Sequence, residues 1–408
     1  MIRASAMTYA VLLMLFVALF CFAIIMIASG SRWLITTQQN KEQVLTNLYS
    51  GLSYGLANPS EGTDQILMGQ DTVSITDKPW GIFRIISVTS GRNNYSRTKS
   101  FLIGSRLDNT TALYLADTDQ PLKVTGTTKI RGNVFLPKRG IERAYVEGKN
   151  FKGDKLYYGN KEISDRYLPE LSDVIAQIDV RDFFREYDFD MIYQIPDDTI
   201  VEFTNNTVLY ESVNPIHLEN INVSGNMIFS SSDSIFVGKS SKLDNILLIA
   251  PVIRIEKGFS GSLQLYATER VEIEEQVDLH FPSSVFLQDR DDARRRVFEA
   301  AVNIAGKARV NGSILITSTS PDYRNPVKIR IDEDAVVAGM VYNEGETQLN
   351  GSVLGTLYTK RFFLKTKSSS YVNHIIDGTI DRTILPDFFV IQNWLKSDRS
   401  KRVVLKGL

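Results

Sequence analysis

Hydrophobic and polar positions change their pattern several times along the chain, and the first pattern is an uninterrupted apolar run. Residues 4–31 contain no charged side chain and lie between Arg3 and Arg32. A helix of that length, at ~1.5 Å per residue, crosses the ~30 Å hydrocarbon core of a bilayer. The run therefore predicts a transmembrane helix over residues 7–30, preceded by a short cytoplasmic tail or leader over residues 1–6.

A secretory signal sequence is the alternative to a retained anchor. Signal sequences have an apolar region of roughly 7–15 residues followed by a cleavage site with small residues. The apolar run of this chain is longer and begins almost at the first residue, which favours a retained anchor. Residues 28–30, Ala-Ser-Gly, keep cleavage open as the alternative.

The second pattern is amphipathic and follows Arg32. Apolar residues recur at steps of three and four, with polar residues between them, at Leu45, Leu48, Leu52 and Leu56. This spacing places them on one face of a helix, which Asn58-Pro59 ends. We predict a helical stalk over residues 31–58 whose apolar face packs on its own chain or on another copy.

The third pattern is the alternation of β-strands. Short alternating runs between turn-rich segments predict strands within residues 59–136, at 72–75, 81–88, 100–103 and 112–115. We expect them to form a small antiparallel β domain. Residues 137–204 are rich in Tyr, Asp and charge, and we interpret them as a connecting region with one helix near residues 171–185.

A five-residue token occurs six times along the chain: an apolar residue, a small or polar residue, Gly, any residue, and an apolar residue. Its six glycines are Gly132, Gly225, Gly261, Gly312, Gly339 and Gly351. The two apolar residues point to the same side of a strand, and the glycine permits a bend between them. Since the glycines have no fixed spacing, the token predicts an irregular β-helix over residues 205–385, and all six glycines are predicted to be structural. The alternative is a β-sandwich with ordinary glycine turns.

The predicted fold class is therefore mainly β, with a transmembrane helix, a helical stalk, a small antiparallel domain and a β-helix in that order. Residues 386–408 are expected to be a disordered, basic C-terminal tail.

Composition narrows the function classes. The 46 basic and 47 acidic residues give a net charge of −1, so nothing directs the whole chain to nucleic acid. Cys21 is the single cysteine and lies in the predicted span, which excludes disulfides and thiolate metal sites from the remaining chain. The many Ser, Thr, Asn and Gly residues beyond Arg32 favour an extracytoplasmic location.

Candidate chemistry is sparse. The three histidines, His217, His280 and His374, lack metal-ligand spacing, and no Gly-x-Ser-x-Gly elbow or phosphate loop occurs. Asp377 and Asp381 are the nearest candidates for a catalytic carboxylate pair, although Asp-Gly usually forms a turn. We predict no catalytic, cofactor-binding or metal-ligating residue, and hence no cofactor. The charged run over residues 289–301 is expected to be a solvated insertion or a docking segment.

A short leader ends at Ala6 and is followed by Met7-Thr8 and the apolar run. In this arrangement the first 57 residues resemble type IV pilins and type II secretion pseudopilins. The resemblance implies cleavage between Ala6 and Met7 and packing of the apolar helix in a filament. The family usually has Glu at the fifth mature position, where this chain has Val11.

Residues 205–385 resemble bactofilins, which are polymer-forming β-helical proteins, in their short apolar strands and their Gly-Ser-Ile and Gly-Ser-Val tokens. The two resemblances imply a non-enzymatic, single-pass protein of the bacterial inner membrane, with a structural or assembly role and protein partners or self-association. The alternative is a membrane-tethered β-helical protein that binds polysaccharide or cleaves it as a lyase or hydrolase.

Overall fold

A computed structural model describes the chain in two compact units. The described residues are 2–59, 62–106, 110–176, 178–180, 188–289, 301–318, 326–386, 389–391, 394–396 and 401–408. One unit contains the residues up to 78 together with 86–100, and the other contains 79–85 together with 101–408.

The first unit consists of one long helix and an antiparallel sheet. Helix α1 covers Ile2–Ala57 without interruption, so the predicted anchor and stalk are one helix. The sheet strands, in the order β1-β2-β3-β4, are β1 Gly62–Met68, β2 Asp71–Trp80, β3 Phe83–Arg92 and β4 Tyr95–Arg106. The last residues of β2, the first of β3 and the last of β4 belong to the second unit.

The C-terminal half of α1 packs on this sheet through the predicted apolar stripe. Leu48 and Leu52 are buried, Leu45 and Leu56 are half-buried, and Val44 joins the buried face. The stripe therefore packs on its own chain, which was one of its two predicted partners.

The second unit contains parallel strands. Its first strands are β5 Thr111–Leu115, β6 Leu122–Thr125, β7 Lys129–Arg131, β8 Asn133–Leu136, β9 Ile141–Arg143, β10 Tyr145–Val146, β11 Lys149–Asn150 and β12 Lys161–Ile163. A one-turn helix, α2 Asp173–Ala176, follows. The next strands are β13 Phe189–Ile192, β14 Asp198–Val201, β15 Thr207–Ser212, β16 Ile216–Leu218, β17 Asn222–Gly225, β18 Met227–Ser231, β19 Ser234–Val237, β20 Lys242–Ile255, β21 Ser260–Ile273 and β22 Asp278–Asp289.

The remaining strands are β23 Ala301–Ile304, β24 Arg309–Ser318, β25 Lys328–Ile331, β26 Val336–Leu349, β27 Ser352–Lys365, β28 Ser370–Val372, β29 His374–Ile376, β30 Thr379–Asp381, β31 Val390–Ile391 and β32 Lys401–Gly407. A 3-10 turn, Arg382–Ile384, separates β30 from β31.

These strands form a three-sided β-helix, because each long strand pairs in parallel with the strand one coil later. The inward residues of one side pair in the order Phe229, Leu248, Leu265, Val285, Ile314, Val341 and Leu357. They belong to one buried apolar core. The predicted β-helix is confirmed, and the alternative β-sandwich is wrong because it requires antiparallel strands facing one another.

The β-helix contains more of the chain than its predicted range. Strand β27 pairs in parallel with β5, β5 with β8, and β8 with β12, while β30 pairs with β7. Residues 111–163 therefore form the coils that follow β27, and residues 189–201 also pair in the stack. The prediction that residues 112–115 belong to the antiparallel domain is wrong, since β5 pairs in parallel with β27 and β8 of the β-helix.

Two further predictions differ from the structure. Within the connecting region only Asp173–Ala176 is helical among the described residues, and residues 177 and 181–187 of the predicted helix lie outside them. The C-terminal residues 401–407 are not a disordered tail, because β32 pairs antiparallel with residues 101–106 of β4. The apolar Val403, Val404 and Leu405 allow this segment to pair at a sheet edge.

One side of the β-helix is covered on its outer surface. There the outward residues Tyr266, Phe286, Leu315, Tyr342, Tyr358 and Tyr114 form a second apolar cluster with Trp80, Val180 and Trp394. Gln288 fastens the covering segment, since its amide donates to the Ile178 carbonyl and accepts from the Val180 N–H. We call this the covered face. A different side of the β-helix has inward residues that include Val271, Val302 and Ile329. We call it the open face.

Candidate functional site

The N-terminal half of α1 is the most distinctive exposed feature of the described chain. Residues 7–36 are all exposed, and their apolar window has a mean hydropathy of 3.2 with none of it buried. Leu13 and Phe16, for example, expose 67% and 65% of their surface. Leaving such a side chain in water rather than in apolar surroundings costs about 1.5–3 kcal/mol. The segment is long and apolar enough to cross a membrane.

Polar and aromatic residues mark the end of this segment. Arg32 is the first charged residue after the run, and Trp33 next to it exposes 67% of its surface. Trp is enriched at the interface between bilayer and water, and Arg extends its charged group towards the head groups. Arg32 and Trp33 are therefore residue types that are common where a membrane-spanning helix leaves the hydrocarbon core.

Beyond this point the same helix packs into the hydrophobic core of the first unit. A Cβ added at Gly51 would lie 2.7 Å from Val73 Cγ1 and 2.9 Å from Val88 Cγ1, so the glycine permits close approach to the sheet. The buried Asn47 side chain donates a 2.9 Å hydrogen bond to Asp71. The two halves of α1 thus have different environments, with the change near residue 37.

The predicted leader site lies within α1. The helix continues through Ala6 and Met7, whereas the side chains of residues 2–6 lie outside the described set. Val11 exposes 64% of its surface on the apolar segment. Cleavage between Ala6 and Met7 stays a prediction.

The six predicted glycines lie in the β-helix, and their backbone conformations fall into two groups. Gly132, Gly225, Gly312 and Gly339 have positive φ, at 119°, 99°, 151° and 151°, whereas Gly261 and Gly351 do not. Gly312 pairs with Gly339, and Gly339 pairs with Gly355, which also has a positive φ of 149°. A glycine ladder therefore follows one corner of the stack. Gly355 was missed because the large Leu354 occupies the small or polar position of the token.

Asp377 of the candidate carboxylate pair has structural partners. Thr127 donates to it from its N–H at 2.8 Å and its hydroxyl at 3.0 Å, and Lys149 Nζ lies 2.6 Å away. Burial by itself raises the pKa of the Asp377 carboxyl, but the hydrogen bonds from Lys149 and Thr127 outweigh it and hold the pKa below its usual value. Asp377 thus ties two distant parts of the stack together.

Asp381 caps the 3-10 turn. It accepts from the Thr383 N–H at 3.0 Å and from the Thr383 hydroxyl at 2.6 Å, and its side chain is 3% exposed. The cap leaves this carboxylate no surface on which to meet a substrate.

One histidine forms a group that only superficially resembles a catalytic triad. Ser260 Oγ lies 2.9 Å and Asp278 Oδ2 lies 3.7 Å from the same atom, His280 Nε2. A triad needs the serine and the carboxylate on opposite ring nitrogens, so that the carboxylate orients the base. Among the described residues no group of three or more His, Cys, Asp or Glu is arranged to hold a metal ion.

A cleft of about 650 Å³ lies beside the covered face and contains Tyr342, Glu344 and Lys360. Burial raises the pKa of the Glu344 carboxyl and lowers that of the Lys360 amine. Lys396 on the rim lies 3.4 Å from Asp173. Among the described residues that line this cleft, acidic and basic side chains are equal in number, so these residues give it no net preference for an anion or a cation.

A second cleft, of about 320 Å³, lies on the open face, and sequence reasoning missed it entirely. Its cations are Arg270, Lys328, Arg330 and Lys365. Glu346 is the single acidic side chain that lines it among the described residues. Cations therefore outnumber carboxylates among the described lining residues, although Arg270 lies 3.7 Å from Glu272 beside the cleft.

Residues 290–300 of the predicted docking run lie outside the described residues, so the docking role stays a prediction. The bactofilin resemblance likewise stays a prediction.

No protein-family model and no curated protein matches the chain. Among solved structures, the crystal structure of the competence-associated pilin ComZ from Thermus thermophilus is similar with a TM-score of 0.22 and 8% identity. The alignment covers 84% of this chain and 86% of that one. A TM-score this low does not establish a common fold, so the function is argued from the chain's own residues.

Proposed function

We propose that this chain is a non-enzymatic, single-pass envelope protein with a structural or assembly role. In this proposal residues 7–30 span the bacterial inner membrane, and the β-helix lies on the extracytoplasmic side. The chain is a pilin-like component whose exposed helix packs against membrane lipids and against other helices of an assembly.

The observation that carries the proposal is the division of α1 into two halves. Residues 7–36 are exposed and apolar, whereas Val44, Leu48 and Leu52 are buried against the sheet of the same unit. A helix that is apolar on all sides requires an apolar environment, and an amphipathic one requires a single packed face. One continuous helix that meets both requirements suits a protein held in a membrane by its amino terminus.

Processing of the leader gives a direct test of the pilin-like part of the proposal. Amino-terminal sequencing of the membrane-extracted chain is expected to begin at Met7. Replacing Ala6 with Ile is expected to block processing, because the peptidase of this family cuts after a small residue, while Ala4→Ile serves as a matched control that leaves it intact. An intact Met1 in the unmodified chain would contradict pilin-like processing and leave a plain anchor.

The alternative function is polysaccharide binding or cleavage by a membrane-tethered β-helix. Hydrolysis needs two carboxyl groups that flank the scissile bond. Asp377 and Asp381 have other roles, as a tie and a cap, which argues against cleavage at this pair. The unbalanced charge of the open-face cleft supports binding without cleavage.

A further inference from the structure

The open-face cleft is created by the size of the side chains on neighbouring coils. Arg270, Ala301 and Lys328 occupy paired positions on three successive strands. Adjacent strands lie about 4.8 Å apart, so Arg270 and Lys328 are separated by about 10 Å with only a methyl group between them. The small Ala301 leaves the notch, and the two long cations form its sides.

A parallel row of residues supplies hydrogen-bonding groups beside the notch. Glu272, Asn303, Arg330 and Gln348 occupy paired positions on four successive strands of the stack, β21, β23, β25 and β26, and the last three of them line the cleft. Phe363 provides an aromatic wall, and Lys328 Nζ lies 5.5 Å from its ring centroid. Amide, guanidinium and aromatic groups together can bind the hydroxyl groups and the ring faces of sugars.

The acidic side chain of the cleft is already neutralised. Glu346 is 8% exposed and lies 2.7 Å from Arg361 and 3.9 Å from Lys328. Its charge therefore does not compensate Arg330 and Lys365 on the exposed rim. Arg270 also has an acidic partner, since its Nη1 atom lies 3.7 Å from Glu272 beside the cleft. Among the described residues, four cations and two paired carboxylates still leave the site with a net positive charge, although the whole chain has a net charge of −1.

We propose that the open-face cleft binds an acidic polysaccharide, with Arg270, Lys328, Arg330 and Lys365 contacting its carboxylate or phosphate groups. Arg favours such anions because its planar guanidinium donates two parallel hydrogen bonds. Asn303 and Gln348 contact the sugar hydroxyls. Charged groups that repeat along a polymer meet cations on successive coils. This inference goes beyond the proposed assembly role and does not depend on leader processing.

Binding is measured with the detergent-solubilised full chain by fluorescence anisotropy of labelled oligosaccharides. Oligogalacturonate supplies carboxylates, phosphorylated mannan oligosaccharides supply phosphates on a sugar chain, and maltohexaose is the neutral control. We expect at least one acidic probe to bind, with an affinity that falls as salt rises, and maltohexaose to bind far more weakly. The tighter acidic probe identifies the preferred anion.

Charge reversal at the rim tests the location of the site. The double variant Arg330→Glu with Lys365→Glu is expected to weaken acidic-probe binding at least tenfold. Lys242→Glu with Arg309→Glu makes the same change in net charge at exposed positions on another side of the β-helix and is expected to have little effect. Ala301→Trp fills the notch without changing charge and is expected to weaken binding as strongly as the double variant. An unchanged circular dichroism spectrum and melting temperature show that each variant is folded.

Several results would overturn the proposal. The first is that neither acidic probe binds. The second is that the two double variants weaken acidic-probe binding equally. The third is that the Ala301→Trp variant binds the acidic probes as tightly as the parent. Tighter binding of a single-stranded oligonucleotide through the same residues would also overturn it. Since none of these results concerns the leader or the membrane span, they leave the proposed function to its own test.

Discussion

Replacing Gly339 with Ala is expected to destabilise the β-helix strongly, because the added methyl group would strike the backbone of a neighbouring coil. Gly339 has a φ of 151°, a conformation that residues with a side chain rarely adopt. An added Cβ would lie 2.8 Å from the carbonyl carbon of Gly312 on the preceding coil, and closer still to its oxygen. This backbone cannot move without displacing a coil.

The magnitude has two parts. Holding a residue other than glycine in an unfavourable backbone region costs about 1–3 kcal/mol. Forcing an additional methyl into packed structure costs about 1–3 kcal/mol more. The free energy of unfolding should therefore fall by roughly 2–6 kcal/mol, a large share of the ~5–15 kcal/mol typical of folded proteins.

Gly258 provides the matched control. It also has a positive φ, 82°, but an added Cβ there would have no atom within 4 Å. Gly258→Ala should thus show the backbone cost alone, about 1–2 kcal/mol. The difference between the two variants isolates the steric contact along the glycine ladder.

Urea unfolding of the detergent-solubilised full chain, followed by tryptophan fluorescence, measures both variants. Trp80 and Trp394 are 2% and 1% exposed in the second unit and report its unfolding, whereas Trp33 is exposed in the folded chain. A Gly339→Ala variant as stable as the parent would refute the reasoning. Equal losses for Gly339→Ala and Gly258→Ala would refute its steric part.

Two further predictions concern the stalk and the tie at Asp377. Leu48→Ala removes a fully buried side chain of α1 and should cost about 2–5 kcal/mol in a thermal or urea melt, whereas Ser50→Ala on the exposed face should stay within about 0.5 kcal/mol. Asp377→Asn should lower the urea midpoint at pH 7. Because hydrogen bonds from Lys149 and Thr127 depress the folded-state pKa of Asp377, its stabilising contribution is present above the unfolded-state pKa of about 4 and is lost as the pH falls through the folded-state value. The variant and the parent should therefore converge in acid, and a gap that persists unchanged at low pH would contradict the assigned role.

Local patterns in the sequence predicted local structure well. The uncharged run and the leucine spacing predicted α1, and the alternating segments predicted β2, β3 and β4 close to their observed positions. The glycine token predicted a β-helix because a corner of a parallel coil needs a residue that permits a bend in the backbone. That need is visible in the local sequence. These features depend on contacts close in sequence.

Features that depend on distant contacts were missed. Leu357 pairs with Leu113, and nothing near either residue in sequence indicates the other as its partner. The open-face cleft has the same origin, since Ala301 lies beside Arg270 and Lys328 only in the paired register of three strands. Coils of unequal length conceal that register, because successive inward partners such as Ile314, Val341 and Leu357 are unequally spaced.

The glycine token also failed in a specific way. Gly351 fits the token without adopting a positive φ, while Gly355 adopts one beside the bulky Leu354. The corner needs space for the carbonyl group of the preceding coil, and that need is set by the neighbouring coil rather than by adjacent residues.

The proposed function depends above all on residues 7–30 holding the chain in a membrane, with the β-helix outside the cytoplasm. Carbonate washing of membranes, followed by protease treatment of spheroplasts, tests this most directly. We predict that the full chain stays in the carbonate-washed membrane pellet and that protease added outside degrades the residues beyond 58. Release of the chain by carbonate, or a C-terminal region protected from external protease until the spheroplasts are lysed, would contradict it.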